Sequence, residues 1–499
     1  MITIAAAMMP ALQRISAILC LFLAASAVYF HAGEPLWNDE IYTLEKFVLK
    51  GIGTILTDYH VPNNHILANI FHWLWVELTA VGGLGELLDQ PWRIRLLPLG
   101  LSVLTLWLLF RAGHQIGGRP AGWLSLLMLL SGVTFQSYAF QVRGYALSMT
   151  ASAAVSALLL QWAAGKPLTR LQQAGLALAT AALLYTLPSN LYFWAAVIGG
   201  VVIAQAVSRR PEGIKPVLWP AALLAGGAVL AFLCYQPVLG QMQSSAYFAT
   251  GASFQGEHVR KSGLVMSHFF SGRWLLLPVV VAGVYWGWKK GGAARKQFAW
   301  LLPVLILPFL FSALRGDLPP ERIYLVLLPV FTLALTAGIY HVLERLATPR
   351  KTIAYGALLL YSAFAYGLGV YQVRQFLRNG MDQANHYYPG LNHNYYQHYY
   401  NPNTEYDLFR KKFGTDKVLI LESSEEHDLP VYLRHKKQAF VPLDSIGSYL
   451  QRRQTMYVSS NYARAFMQEM AKTGPLWNCR YLQNEPRLPR IIICEPVGQ

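Results

Sequence analysis

The sequence predicts a polytopic α-helical membrane protein with a small α/β domain at its C-terminal end. Of its 499 residues, 54% are hydrophobic and only 13% are charged, against roughly 25% charged residues in an average soluble domain. Long apolar stretches recur from about residue 12 to residue 371. The four cysteines form no CxxC motif, which argues against a disulfide scaffold and a zinc array. An ordinary soluble enzyme is therefore excluded.

Eleven apolar stretches are the candidate membrane spans. Each has about 17 to 22 residues, enough for a helix to cross a hydrocarbon core of roughly 30 Å. Short polar loops separate them. The predicted spans are 12–30, 96–110, 120–136, 145–164, 171–187, 191–207, 217–236, 274–288, 297–314, 323–340 and 353–371.

The lysines and arginines of the short loops predict the orientation, because basic loops stay on the cytoplasmic side. If the spans alternate, one face collects most of them, and we expect the N-terminus there. Residues 32–91, 237–273 and those after about 374 then lie outside. These loops account for much of the net charge of +16, so it is no evidence for nucleic acid. The first span also resembles a cleavable signal peptide, and either reading leaves 32–91 outside.

Acidic residues show a second asymmetry. Eleven of the thirteen before Asp382 face outward under this topology, and eight crowd into the first outer loop. The predicted spans contain no Asp, Glu, Lys or Arg in mid-membrane, whereas ion-coupled transporters usually carry ionisable groups there. The sequence therefore predicts chemistry at the outer membrane surface.

Two motifs stand out in the first outer loop. Trp37-Asn38-Asp39-Glu40-Ile41-Tyr42 opens an amphipathic helix, and acids in a first helical turn are favourable without any function. Asp58-Tyr59-His60-Val61-Pro62-Asn63-Asn64-His65 forms a polar turn before an apolar helix over 66–80, which we place on the outer surface.

Two later outer segments carry arginines. Arg143-Gly144-Tyr145 lies in the hairpin between the third and fourth spans, and a rigid loop runs from Arg315 to Arg322 through Pro319-Pro320. Arginines at a membrane surface also anchor headgroups, so that reading stays open for both segments.

This order of features resembles the GT-C superfamily of membrane glycosyltransferases, particularly the bacterial relatives of dolichyl-phosphate-mannose protein mannosyltransferases and of the aminoarabinose transferase. The matching segments are WNDEIYTL with its Asp-Glu pair, the turn from His60 to Leu67, RIRLLPLGLSVLTLWLLFRAG and Arg143-Gly144-Tyr145. The resemblance covers about residues 12 to 210. Asn63 and Asn64 stand where the families have prolines, and an acid that some members carry near Arg143 is absent.

The resemblance implies transfer of a sugar from a polyprenyl-phosphate donor to a hydroxyl of a glycan, lipid or protein, at the outer face of a bacterial inner membrane. It implies Asp39 as general base, with Glu40 or Asp58 as a second carboxylate. Arginine forks match phosphate oxygens, so the outer cations are candidates for the donor phosphate: Arg143, Arg260, Lys261, Arg273, Arg315 and Arg322. Candidate substrate-binding residues are Tyr42, Asp58, His60, Asn64, His65 and Tyr145.

Other readings stay open. His60 and His65 beside the carboxylates could hold a divalent metal ion, as in some relatives, although no ligand spacing is diagnostic. No GxGxxG or P-loop appears, so no nucleotide site is expected. A non-catalytic transporter or flippase of a lipid-linked glycan is the alternative function, and an assembly partner with a decayed site is a third.

We assign residues 1–377 to the transmembrane domain, with the first outer loop at 31–95, and 378–499 to an extracytoplasmic α/β domain. Strands are predicted over 418–422, 439–443, 456–459 and 491–494, with helices over 429–435, 446–453 and 462–472, giving a mostly parallel sheet. Cys479 and Cys494 flank strand-like pieces in a compartment that permits disulfides, and we expect a bond between them.

Overall fold

The computed structural model describes residues 2–207, 215–244, 256–316, 319–387, 409–414, 419–421, 428–435, 440–442, 455–459, 477–481 and 491–497. Contacts divide the chain into two compact units. The membrane unit comprises Met1–Ala32, Lys50–Ala80 and Ile94–Gly369, and the C-terminal unit comprises Gly33–Leu49, Val81–Arg93 and Val370–Gln499. The first outer loop is therefore shared between the two units.

Helices make up most of the described chain. In order they are α1 (Ile2–His31), α2 (Asn38–Lys46), α3 (Ile52–Thr57), α4 (Ile66–Leu78), α5 (Leu84–Asp89), α6 (Trp92–Leu130), α7 (Val133–Ala139), α8 (Tyr145–Ala163), α9 (Arg170–Thr186), α10 (Leu191–Val207), α11 (Lys215–Tyr235), α12 (Leu239–Ser244), α13 (Gly256–Phe270), α14 (Leu277–Lys290), α15 (Gly292–Arg315), α16 (Leu328–Arg345), α17 (Thr348–Tyr387) and α18 (Asp428–His435).

The protein is a multi-span membrane protein. In the described part of the chain, eight helices are long and apolar enough to cross a bilayer, and the bent pair α13 and α14 would make a ninth. α9 is shorter, with 17 residues, and α6 holds two of the predicted spans. All eleven predicted spans thus coincide with helices, although the third ends at Leu130 and not at residue 136.

The chain reverses direction within α6. Gly117 and Gly118 have non-helical backbone angles, and Gly118 has φ +68°, which favours glycine. The reversal brings Gly113 so close to Ala121 that an added Cβ would lie 2.8 Å from the Ala121 carbonyl oxygen. A side chain on Gly117 would collide with the Tyr340 ring. The glycines thus permit two packed arms where one long helix would otherwise continue.

A sharp bend separates α13 from α14. The two helices form an angle of 93° across a short break. The sequence placed residues 237–273 in an outer loop, whereas the structure forms α13 there, with Val265 and Phe269 buried. Its charged residues interrupt the apolar pattern, which is why the sequence did not predict a span-like helix.

Close helix contacts in the membrane unit depend on glycine. Gly283 on α14 faces Gly338 on α16, and a Cβ on Gly283 would collide with the Gly338 carbonyl. Small residues allow helix backbones to approach closely inside a membrane. Helix association there is driven by dispersion and polar contacts and not by the hydrophobic effect. α14 and α16 therefore pack backbone to backbone at this point.

The C-terminal unit contains a five-stranded sheet. Its strands are β1 (Leu419–Leu421), β2 (Phe440–Pro442), β3 (Met456–Ser459), β4 (Trp477–Tyr481) and β5 (Ile491–Pro496), in the order β2-β1-β3-β5-β4. β1 runs parallel to β2 and β3, while β5 runs antiparallel to β3 and β4. The sheet is mixed, so the expectation of a mostly parallel sheet is wrong. β4 overlaps the strand-like piece that the sequence indicates after Cys479, although it was not among the four strands predicted with bounds. The predicted helices 446–453 and 462–472 lie outside the described residues.

A disulfide joins Cys479 on β4 to Cys494 on β5, the pairing that the sequence predicts. The two residues are directly opposite each other in the antiparallel ladder, with their Cα atoms 4.1 Å apart. The bond therefore ties together two neighbouring strands at one edge of the sheet.

Candidate active site

The turn from Asp58 to His65 is held by one side chain. Asn64 is fully buried, and its amide nitrogen donates to the Ile55 carbonyl at 2.8 Å and to the Asp58 carbonyl at 2.7 Å. Its oxygen accepts from Asn69 Nδ2 at 2.9 Å. These bonds use both amide protons and the oxygen, so Asn64 fixes the turn that presents His65 at the start of α4.

The segment from Gln136 to Tyr145 faces this turn within the membrane unit. The sequence places an outer hairpin here, and in the structure every residue from 136 to 145 is buried. Arg143 is only 2% exposed to solvent. The side chain of Arg143 therefore lies inside the protein, which argues against headgroup anchoring as its role.

His65 and Arg143 meet at the beginning of α8. The backbone N–H of Gly144 donates to Nδ1 of His65 at 2.8 Å, and Arg143 Nη2 donates to Oδ1 of Asn63 at 3.1 Å. Arg143 Nη2 also lies 3.5 Å from Nε2 of His65. A Cβ on Gly144 would approach Nδ1 of His65 to 2.9 Å, so only glycine allows this contact. We call Asn63, His65, Arg143 and Tyr145 the His65 cluster.

Aromatic rings complete the cluster. The guanidinium of Arg143 lies 5.8 Å from the centroid of the Tyr145 ring, within cation–π range. The Tyr145 ring is also edge-on to His65 at 5.5 Å and to Tyr138 at 5.3 Å. Tyr145 is buried and packs against all three of these side chains.

The electrostatic environment keeps His65 neutral. Burial first, and then the positive charges of Arg143 and Arg322, hold the pKa of His65 well below its usual range. A neutral imidazole that accepts at Nδ1 carries its proton on Nε2. The Nε2–H group and the Arg143 fork are therefore two donors with nitrogens 3.5 Å apart. Such a pair suits an anionic oxygen.

The other predicted donor-binding cations divide into two groups. Arg322, on the 3₁₀ helix Glu321–Leu327 that packs against α8, acts electrostatically on His65. Lys261 donates to the Pro319 carbonyl at 2.8 Å and so contacts the same loop. Arg260 and Arg315 are exposed, and no described contact joins either to the His65 cluster.

Asp58 and His60 lie nearer the surface of the membrane unit. The two side chains pair at 2.5 Å, and the Asp58 carboxylate also accepts from the His60 backbone N–H at 3.1 Å. Among the described residues, no group of three or more His, Cys, Asp and Glu side chains is arranged to hold a metal ion. A metal site with His60 and His65 stays a prediction.

Asp39, Glu40 and Tyr42 belong to the C-terminal unit, in helix α2. Glu40 is fully buried, and its carboxylate accepts from the Trp37 backbone N–H at 3.1 Å, which caps the helix. Asp39 is half-buried in the same first turn. Tyr42 is half-buried and packs edge-on against Phe47 at 6.1 Å.

Comparison with known proteins identifies the fold. No protein-family model and no curated protein matches the sequence. The structure is similar to that of ArnT from Cupriavidus metallidurans, an aminoarabinose transferase of the GT-C superfamily. The apo crystal structure aligns with a TM-score of 0.51 and 15% sequence identity, over 96% of this chain and 97% of that chain. The chain has the ArnT fold. The ArnT crystal structure with bound undecaprenyl phosphate aligns with a TM-score of 0.50 and 15% identity, over 97% and 98%.

The sequence did not single out two residues at the His65 cluster. It named Asn64 as a candidate for substrate binding, which stays a prediction, and did not name Asn63, which accepts a hydrogen bond from Arg143. It did not single out the backbone of Gly144, which binds His65. Two adjacent asparagines give no signal of which one contacts Arg143. The glycine next to an arginine was the available hint for the second residue.

Arg273 has a structural role in the described contacts of the membrane unit. The sequence grouped it with the outer cations, but it is buried and its guanidinium donates to the carbonyls of Met128, Phe269 and Phe270 and to the hydroxyl of Ser131. These bonds join the break between α13 and α14 to the end of α6.

Proposed function

We propose that the chain is a glycosyltransferase that uses a polyprenyl-phosphate sugar donor and an acceptor hydroxyl at the outer face of the membrane. The observation that carries the proposal is the His65 cluster, a buried set of aligned donors in a chain with the GT-C fold. The ArnT structure with undecaprenyl phosphate supports the donor class, because that relative of similar fold binds a polyprenyl phosphate.

The His65 cluster has the chemistry that a departing lipid phosphate requires. Arg143 supplies a permanent positive charge, and the Nε2–H of His65 supplies a neutral donor beside it. Both lie at the start of α8, a 19-residue helix whose N-terminus carries a partial positive charge. Prearranged donors of this kind stabilise charge that develops as the leaving group departs.

Arg322 adds a second cation to the proposed phosphate site. The positive charge of Arg322 contributes to the lowered pKa of His65, although the Arg322 side chain is only half-buried. A half-buried arginine can follow a mobile lipid phosphate, whereas buried Arg143 stays fixed. We therefore assign Arg143 to leaving-group stabilisation and Arg322 to donor binding.

Asp39 is the proposed general base. Its carboxylate would take the proton of the acceptor hydroxyl while the oxygen attacks the anomeric carbon, and the bond from that carbon to the phosphate oxygen breaks with its electron pair leaving on the lipid phosphate. Glu40 is the less suitable candidate because its carboxylate caps α2. Asp58 and His60 are exposed polar groups that we assign to the acceptor or to a divalent ion.

The experiment is donor consumption by the purified protein across a panel of polyprenyl-phosphate sugars, comparing wild type with Asp39→Asn. The matched control is Glu77→Gln, which removes an exposed carboxylate from α4 in the same outer loop. We expect the control to behave like wild type and Asp39→Asn to lose most of the activity, by roughly 10²-fold or more. A parallel assay with a chelator tests the divalent ion.

The outcomes separate the competing functions. Activity that survives in Asp39→Asn would remove Asp39 as the base and keep the enzyme class. If no donor is consumed with any acceptor, while a lipid-linked glycan crosses liposome bilayers that contain the protein, the glycosyltransferase proposal fails in favour of the flippase.

A further inference from the structure

A cavity of about 500 Å³ lies in the membrane unit, away from the His65 cluster. It is bounded by the last turns of α8 and α10, the first turns of α9 and α15, and the beginning of α11. These helix ends adjoin the basic loops that the sequence places on the cytoplasmic side. Its size is within the range of roughly 300 to 1,000 Å³ found for small-molecule sites.

Two lysines line the cavity. Lys296 on α15 lies 3.8 Å from the centroid of the Trp162 ring and donates to Oε1 of Gln205 at 3.2 Å. Lys166, in the loop after α8, donates to Oε1 of Gln115 at 2.8 Å. These contacts position the ammonium groups of the two lysines at the cavity. No acidic residue is found among the described residues that line the cavity.

The rim of the cavity is apolar and exposed. Trp219 on α11 lines the cavity and is 54% exposed, and its neighbour Leu218 is 55% exposed. Tryptophans and leucines at the ends of spans are typical of surfaces that contact lipid at the headgroup level. A ligand in this cavity would thus have acyl-chain surface beside it.

We propose that this cavity binds the headgroup of an anionic phospholipid from the basic face of the membrane. The lysines would bind the phosphate, the amides of Gln205 and Gln173 would bind glycerol or headgroup hydroxyls, and the acyl chains would lie against Leu218 and Trp219. Basic pockets between membrane helices are a recognised form of anionic lipid site. The proposal is independent of the glycosyltransferase chemistry, because it uses no residue of the His65 cluster.

A soluble phosphate would satisfy the lysines but not the apolar rim. The adjoining lipid-exposed leucine and tryptophan surface is why we assign a phospholipid and not a free phosphorylated metabolite. Glycerol phosphate, which has the headgroup chemistry without acyl chains, is therefore the informative competitor.

The test is native mass spectrometry of the detergent-purified protein, titrated with phosphatidylglycerol or with phosphatidylcholine. The double variant Lys166→Gln/Lys296→Gln removes both charges from the cavity. The matched control Lys289→Gln/Lys351→Gln removes two charges from the same predicted face outside the cavity. We expect the cavity variant to lose phosphatidylglycerol affinity by roughly thirtyfold, since each lysine near an anionic lipid contributes about fivefold. Phosphatidylcholine binding should not change.

Three outcomes would overturn the proposal. Equal losses in the cavity and control variants would show that general surface charge attracts the lipid. Unchanged binding in the cavity variant would remove the site. Displacement of the bound lipid by glycerol phosphate at equal concentration would favour a soluble ligand. If the double variant does not fold, the single variant Lys166→Gln is measured instead, because that side chain is exposed and its expected loss is about fivefold.

Discussion

The backbone N–H of Gly144 donates to Nδ1 of His65 at 2.8 Å, and this bond fixes which ring nitrogen carries the proton. The neutral ring must hold its proton on Nε2, next to Arg143. The contact thus links the turn before α4 to the hairpin before α8, and it sets the chemical character of the His65 cluster.

Substitution of His65 tests this assignment. An asparagine places an acceptor near the position of Nδ1 but offers no donor at Nε2. We expect His65→Asn to retain folding and to lose glycosyl transfer by roughly 10- to 100-fold, the loss of one or more hydrogen bonds to a charged group. His65→Ala should also destabilise the fold, because the buried Gly144 N–H loses its acceptor. Donor turnover together with thermal unfolding distinguishes the two variants.

The cations of the proposed donor site should differ in importance according to burial. Arg143→Gln should lower kcat by roughly 10- to 100-fold, and Arg143→Lys should recover only part of this because it lacks the fork. Arg322→Gln should act mainly on KM. Exposed Arg315 should tolerate the same change. Steady-state kinetics over donor concentration measures the relative importance of these three arginines. Equal effects at Arg143 and Arg315 would contradict the expected ranking.

Stability should fall in mild acid because of buried histidines. Burial lowers the pKa of His72 on α4 to about 4, and the pKa of His65 is also well below its usual range. The unfolded chain takes up these protons near its ordinary pKa of about 6.5, whereas the folded protein does not. The folded state therefore keeps its full stability above about pH 6.5 and loses it as the pH falls towards the folded pKa.

The titration of His72 alone should lower the free energy of unfolding by about 2 kcal/mol between roughly pH 7.5 and pH 5. His72→Phe removes that titration, so its unfolding temperature should depend less on pH than that of wild type. Thermal unfolding in detergent at both pH values measures the difference. Identical pH dependence in the two proteins would exclude His72 as a source.

The disulfide should stabilise the C-terminal unit. Cys479 and Cys494 close a loop of 15 residues, for which chain entropy gives about 3 kcal/mol. The double variant Cys479→Ser/Cys494→Ser should be cleaved faster by protease in this unit, with the membrane unit unaffected. Limited proteolysis followed by mass analysis locates the cleavage. Cys234→Ser is the control, because Cys234 is a free and exposed cysteine in the membrane unit.

The glycine contact between α14 and α16 should tolerate no side chain. Gly283→Ala introduces a methyl group against the Gly338 carbonyl, and overpacking of this kind costs about 1–3 kcal/mol. Gly356→Ala on α17 is the matched control, because nothing lies within 4 Å of its added Cβ. Yield of monodisperse protein and unfolding temperature report the result, and equal behaviour of the two variants would contradict the packing.

The spans were predictable because a bilayer imposes one physical requirement, apolar length, that can be counted along a chain. α13 was missed because His258, Arg260 and Lys261 interrupt its apolar pattern. The sheet was predicted as mostly parallel because strand-helix alternation favours that form. The antiparallel pairs are those that β5 makes with β3 and β4, and the direction in which the chain enters β5 has no signal in the residues.

The candidate site was predictable only in part. The sequence named Arg143, His65 and Tyr145 because they stand in the segments that resemble GT-C enzymes, and because an arginine fork matches phosphate oxygens. Which of Asn63 and Asn64 would face Arg143 depends on one turn of backbone, and no pattern specifies it. The backbone donor of Gly144 has no side-chain signature at all.

The reversal at Gly117 and Gly118 also bears on how topology can be mapped experimentally. Reporter tags are usually inserted at the short loops between spans, where extra sequence is normally tolerated. Here the turn is two glycines long and lies against Tyr340, so an insert would separate both arms of α6 from α16. A reporter at this position would record a damaged protein, and the loop after α8 near Gly165, which is exposed and has open space around its Cα, is the safer choice.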